Sequence, residues 1–115
     1  MRIEVRGRNT EVTAELEDAI RKRFKRVAKQ VSELATLEVE LCEEKNPRIA
    51  DKYVAEATMR LKGTTIRAKE ASPEMLGSIH QLAEDVRRQV KKNRELRRHR
   101  AKSRRFSASL RNREA

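Results

Sequence analysis

The side chains that this sequence concentrates are lysines and arginines, and the chemistry they offer is the holding of phosphate or another polyanion. Between Arg21 and Lys29 stand Arg21, Lys22, Arg23, Lys25, Arg26 and Lys29, with no acid among them. Arg21, Lys25 and Lys29 recur at four-residue steps, with Lys22 and Arg26 beside them, so a helix there carries one continuous positive face. A second run, Arg87, Arg88, Lys91, Lys92 and Arg94, opens a still more basic stretch. Helix surfaces ordinarily mix signs for i,i+4 pairing, so two acid-free runs point to a polyanion partner.

Other chemistry is thinly represented. Glu38, Glu40, Glu43 and Glu44 are the densest acids, but the first two alternate along a strand and the second two begin a loop, so a solvated strand edge is expected. His80 and His99 lack zinc-ligand spacing, and Cys42 is the only cysteine; no metal site is expected. Cys42 has no neighbouring histidine to activate it and reads as a packing residue. Gly7, Gly63 and Gly77 stand apart, so no glycine loop cradles a phosphate. No catalytic site, cofactor or small-molecule substrate is expected, and a hydrolase or metal-dependent nuclease would need a cluster the sequence lacks.

The charge is segregated. Residues 1–86 hold 16 Lys+Arg and 16 Asp+Glu, whereas residues 87–115 hold 13 and 2, which supplies the whole net charge of +11. A neutral body with a basic end suits nucleic acid. The only aromatics are Phe24, Tyr53 and Phe106, too few for a base-stacking platform, so phosphates and helical shape are the expected features read. A lone cysteine suits a reducing compartment. No stretch approaches the roughly 20 apolar residues of a membrane span, and no signal-like run opens the chain. A cytoplasmic protein without membrane association is expected.

These residues must be positioned by a small number of elements. Ile3 and Val5 alternate with Arg2, Glu4 and Arg6 in a first strand, ended by a turn at Gly7, Arg8 and Asn9. Thr13 is the predicted N-cap of a helix whose buried stripe is Leu16, Ile20, Phe24, Val27 and Val31. Leu37, Val39 and Leu41 mark a second strand, and residues 53–62 a third. Gly63 turns the chain into a fourth strand over about residues 65–70. Ser72 and Pro73 predict the start of a second helix with the stripe Met75, Ile79, Leu82, Val86 and Val90. The order βαβββα predicts an α+β, two-layer sandwich: a four-stranded mixed sheet, with one parallel crossover and an antiparallel meander, and two helices on one face. Residues 1–96 form the expected domain, and residues 97–115 a basic C-terminal extension, either a frayed helical continuation or an arm.

The chain resembles the bacterial ribosome hibernation promoting factors, also called ribosome-associated inhibitors. The likeness rests on Gly7, Asn9, Glu11, Thr13, Leu16 and Phe24, on the loop Glu44-Lys45-Asn46, and on Glu74-Met75, Ile79, Arg88-Gln89 and Lys92. It spans about residues 1–96. It implies a βαβββα fold, no enzymatic activity, and binding to the small ribosomal subunit in the channel between head and body. There the protein overlaps the sites of messenger and transfer RNA, blocks translation, and protects idle ribosomes under stress or in stationary phase. The implied contacts to ribosomal RNA phosphates are Arg23, Arg26, Arg88, Lys92 and Arg94; the charged faces themselves add Lys22, Lys25, Lys29 and Lys91. The sequence departs from the family at Leu76, usually Tyr, at His80, often Asp, and at Asp85, often Lys, so no basic contact is carried to position 85. Long relatives have a further domain that pairs two ribosomes, and residues 97–115 do not resemble it. The alternative reading is a general double-stranded nucleic-acid-binding protein using the same faces.

Overall fold

In the computed structural model, the backbone is described for residues 1–114 and the side chains for residues 1–99. The elements are β1 (Arg2–Arg8), α1 (Ala14–Arg23), α2 (Lys25–Gln30), β2 (Thr36–Glu43), β3 (Tyr53–Leu61), β4 (Thr64–Ser72) and α3 (Met75–Glu114). The strands form one sheet in the order β1-β2-β3-β4. β1 lies parallel to β2, and the β2-β3 and β3-β4 pairs are antiparallel. This is the mixed sheet that the strand periodicities and connection lengths predict.

Alternation decides which face is covered. Leu37, Val39 and Leu41 of β2 meet Ala55, Ala57 and Met59 of β3 and Ile66 of β4 in one cluster. The same cluster takes in Ile20, Phe24 and Val27 from α1–α2, and Met75, Ile79, Leu82, Val86 and Val90 from α3. Both helical segments therefore pack on one side of the sheet. Fully burying an Ile, Leu, Val or Phe contributes roughly 1.5–3 kcal/mol, so the two stripes fix the helices' rotation and with it the direction of their charged faces.

Several local features differ from the sequence reading. β1 continues through Gly7 to Arg8, pairing with Leu41 and Cys42. Gly7 serves a close approach and not the turn: a Cβ there would lie 2.4 Å from the Thr10 carbonyl oxygen. The turn itself uses Asn9, at φ 57°, a conformation that Asn tolerates better than most residues. The single predicted first helix is interrupted at Phe24 (φ −88°, ψ 1°), yet Phe24 N–H donates to Ile20 and Ala28 N–H to Phe24. It runs on as one rod with a local distortion where the fully buried Phe24 ring seats.

The start of α3 also moves. Ser72 is the last residue of β4, paired with Tyr53, and the helix begins at Met75, so Pro73 precedes it. Ser72 still serves the junction. Its hydroxyl accepts from Glu74 N–H at 3.3 Å and lies 2.9 Å from the Ser78 hydroxyl, which donates to the Tyr53 carbonyl at 2.5 Å. Both serines are buried, so this chain of hydrogen bonds stitches α3 to β3 and β4. At the other end, α3 passes residues 96 and 97 without a break and runs to Glu114. At about 1.5 Å per residue, its 40 residues account for most of the molecule's 69 Å long axis.

Candidate nucleic-acid interface

The cations are placed by the α1–α2 rod and by α3, which packs beside it. Thr13 starts α1 as predicted: its hydroxyl accepts from Leu16 N–H at 3.2 Å. With Ile20, Phe24 and Val27 buried, Lys22, Arg23, Lys25, Arg26 and Lys29 all stand exposed on the outer surface. α3 packs against both α1 and α2. With Val86 and Val90 turned into the core, Arg88, Lys91, Lys92 and Arg94 are likewise exposed.

The two runs meet in a groove. A hollow of about 240 Å³ between α1–α2 and α3 is lined by Lys22, Arg23, Arg26, Ala83, Glu84 and Arg87. Three of the predicted residues thus share one concavity with Arg87, which the sequence shows only as a cation beside the apolar stripe. The missed signal was its position one turn beyond Ala83, on the flank of the stripe nearer α1. Glu84 is the one acid in this lining and pairs with Arg87 at 3.8 Å.

The remaining residues of α3 divide at about 3.6 residues per turn. Lys92 lines a different hollow, of about 540 Å³, with Thr64, Thr65 and Gln89 on the β4 side of the helix. Arg88 lies on that side too, close enough to Glu70 of β4 to act on its titration. Burial, and then a hydrogen bond with Asp85, push the Glu70 carboxyl above its ordinary range, while the Arg88 charge pulls the other way. Arg94 borders a third hollow, at the end of α2 and β3. The predicted set is therefore divided: Lys22, Arg23 and Arg26 line the groove between helices, Arg88 and Lys92 lie on the β4 flank of α3, and Arg94 borders the hollow at the end of α2.

The positive face is also less uniform than the sequence suggests. Arg21 is paired with Glu17 at 3.1 Å and Lys22 with Asp18 at 3.0 Å, both across one helical turn. Exposed pairs of this kind are weak, so Lys22 remains available, but its charge is partly offset. Among the described residues, Arg23, Lys25, Arg26, Lys29, Arg88, Lys91, Lys92 and Arg94 form no ion pair within 4 Å. Such a surface suits phosphates held by side-chain cations. No cluster of three or more His, Cys, Asp or Glu able to hold a metal occurs among the described residues, and Cys42 is buried. No described helix is long and apolar enough to cross a membrane.

Residues 3–102 match the family described as Sigma 54 modulation protein / S30EA ribosomal protein. The chain belongs to this family. Within it, the sequence is 33% identical over 96 residues to a ribosome hibernation promotion factor of Picosynechococcus sp., covering 83% of this chain and 50% of that one. It is 27% identical over 101 residues to a ribosome hibernation promoting factor of Acinetobacter guillouiae, covering 84% and 89%. The chain thus spans about half the length of the Picosynechococcus relative and most of the Acinetobacter one. Its fold matches the Protein Y N-terminal domain of Thermus thermophilus, with a TM-score of 0.68 and 26% identity over 80% of this chain and 98% of that one. It also matches a ribosomal subunit interface protein of Coxiella burnetii, with a TM-score of 0.71 and 20% identity over 83% and 99%. The latter likeness is one of fold alone. The S30EA membership and the four-stranded α+β architecture agree with the resemblance read from Gly7, Thr13, Phe24 and the second helix.

Proposed function

We propose that this S30EA-family chain is a ribosome hibernation factor that docks on the small ribosomal subunit, in the decoding channel, through cations that meet ribosomal RNA phosphates. The observation that carries the reading is the groove where Lys22, Arg23 and Arg26 of the first helical rod face Arg87 of α3. Its mechanism is steric. A body stiffened by a shared core seats in the channel, excludes messenger RNA and transfer RNA anticodons, and so holds idle ribosomes inactive and protected. Phosphate contacts fix position without reading sequence, and specificity comes from fit to the shape of folded RNA. Residues 1–96 are the docking body, and residues 97–114 a basic extension of its last helix.

Density-gradient sedimentation with purified small subunits tests this. The wild-type chain co-sediments, and reversing charge with Arg88→Glu and Lys92→Glu removes it from the subunit peak while the circular dichroism spectrum is unchanged. Unaltered co-sedimentation of that variant would contradict the assignment of those two residues. The rival reading, a general duplex binder on the same faces, is separated by competition. An excess of bulk duplex RNA leaves subunit binding intact under the proposal and abolishes it under the rival.

A further inference from the structure

At the end of the helical layer, where α2 stops and β3 turns towards β4, lies a hollow of about 590 Å³. That volume falls in the range of small-molecule sites, about 300–1,000 Å³. Val31, Leu34 and Leu61 supply apolar walls, with the fully buried Val90 beneath them. Leu34 is 91% exposed, an unusual place for a leucine that supports nothing beneath it. Two carboxamides, Gln30 and Asn93, also line the hollow, and neither side chain has a hydrogen-bond partner among the described residues. Each offers both donors and an acceptor. Lys62 and Arg94 stand at the mouth without a carboxylate partner among the described residues, whereas Arg60 there is held by Glu38 at 2.8 Å.

This combination selects among ligands. A fatty chain would use the apolar walls and the cations but leave the carboxamides idle. A lone phosphate would use only the cations. A nucleotide uses all three: a base between aliphatic walls or against a guanidinium plane, its edge hydrogen-bonded by an amide, its phosphate at the rim. Arg94 belongs both to this rim and to the set of cations assigned to RNA phosphates, so the hollow is continuous with that surface.

We infer that this hollow receives one unstacked nucleotide of the RNA that the helical face holds, its base lodged among Val31, Leu34 and Leu61 and its phosphate met by Lys62 and Arg94. The inference rests on the RNA-binding reading and deepens it, because it adds a contact to a base where the other contacts are to phosphates. The scarcity of aromatic residues does not oppose it, since one aliphatic slot with an arginine at its mouth needs none.

The full chain, labelled at its methyl groups, is titrated by NMR with uridine monophosphate, ribose 5-phosphate, an unpaired oligouridylate and a blunt RNA duplex. The expected result is saturable movement of the Val31, Leu34, Leu61 and Val90 methyls with the monophosphate and the oligonucleotide, and none with ribose 5-phosphate or the duplex. Leu34→Ser, at a side chain the fold does not need, weakens the oligonucleotide by about fivefold or more, the lower end of what loss of a stacking partner costs. Asn93→Leu, which keeps the apolar volume but removes the amide, weakens it as well. Methyls that stay still, or that move equally with ribose 5-phosphate, would overturn the site. Movement with the monophosphate but not with the oligonucleotide would overturn the RNA source. Failure of the hibernation reading is seen separately: a chain that shows these methyl shifts but never co-sediments with small subunits retains the nucleotide site and loses the proposed docking.

Discussion

The two sides of this molecule use the same cations differently. On the open face of the sheet, Arg8 pairs with Glu40 at 3.3 Å, Arg60 with Glu38 at 2.8 Å and Lys69 with Glu56 at 3.4 Å, all across neighbouring strands, and Arg2 pairs with Glu4 at 3.1 Å. On the helical side, eight exposed cations from Arg23 to Arg94 have no such partner among the described residues. Cross-strand pairing answers charge with charge inside the fold. In the helical layer Arg21, Lys22 and Arg87 are paired within their own helices, but those eight leave their charge unanswered, which costs self-repulsion in the free protein that an external anion relieves. Net charge alone would not reveal this, because residues 1–86 are neutral in sum while most of their acids lie on the sheet, the loops and the N-terminal half of α1, with Glu84 and Asp85 on α3.

The largest effect should come from reversing the groove. Arg23→Glu with Arg26→Glu should lower small-subunit affinity by more than tenfold, measured by sedimentation at fixed salt. The slope of log affinity against log salt should fall by about 0.7–0.9 for each lost phosphate contact. The matched pair on the other side, Arg8→Gln with Lys69→Gln, should change binding less than twofold. A larger loss from the sheet pair than from the groove pair would reverse the comparison.

Next comes the stitch that aims α3. Ser78→Ala removes the donor to the Tyr53 carbonyl and leaves the buried Ser72 hydroxyl with one partner fewer, which should lower unfolding free energy by about 1–3 kcal/mol in urea titration. Smaller again is the effect of Thr13→Ala, about 1 kcal/mol from the lost cap on α1. Neither should change the salt slope of binding once the fold is populated, because neither side chain carries a charge.

The smallest effect lies on the β4 flank of α3. The Glu70 carboxyl titrates above its ordinary value near 4.5, because burial and Asp85 favour the protonated form. The folded chain therefore holds that proton more tightly than the unfolded one, so its stabilising contribution is present below about pH 4.5 and is lost as pH rises through the raised value. Thermal melts across that window should show the slope flatten in Glu70→Gln. The same pair of acids beside Arg88 makes Arg88 less free than Arg23 or Arg26, so Arg88→Glu alone should weaken subunit binding less than Arg26→Glu alone.

Much of this arrangement was legible in the sequence, and the reason is burial. Leu37, Val39 and Leu41 alternate because only one face of β2 is covered, and Met75, Ile79, Leu82, Val86 and Val90 step by threes and fours because one stripe of α3 is. The S30EA likeness adds order and spacing to the same residues. Features decided between elements were not legible. Ser72 reads as a cap because its neighbours suit a helix, but its pairing with Tyr53 keeps it in β4. Gly7 reads as a turn residue because nothing local announces the Thr10 carbonyl. Lys22 reads as one of six free cations because its pairing with Asp18 depends on side-chain geometry. The division of Arg87 from Arg88 and Lys92 needs the rotation of α3, which Val86 and Val90 fix only once the core is assembled.

The most direct test of the central claim is a lysine footprint. The protein is labelled with an amine-reactive reagent, free and bound to small ribosomal subunits, and modification is measured residue by residue by mass spectrometry. Lys22, Lys25, Lys29, Lys91 and Lys92 should be protected in the bound state, with Lys69 on the sheet as reactive as in the free chain. Protection of Lys69 while the helical lysines stay open would contradict it.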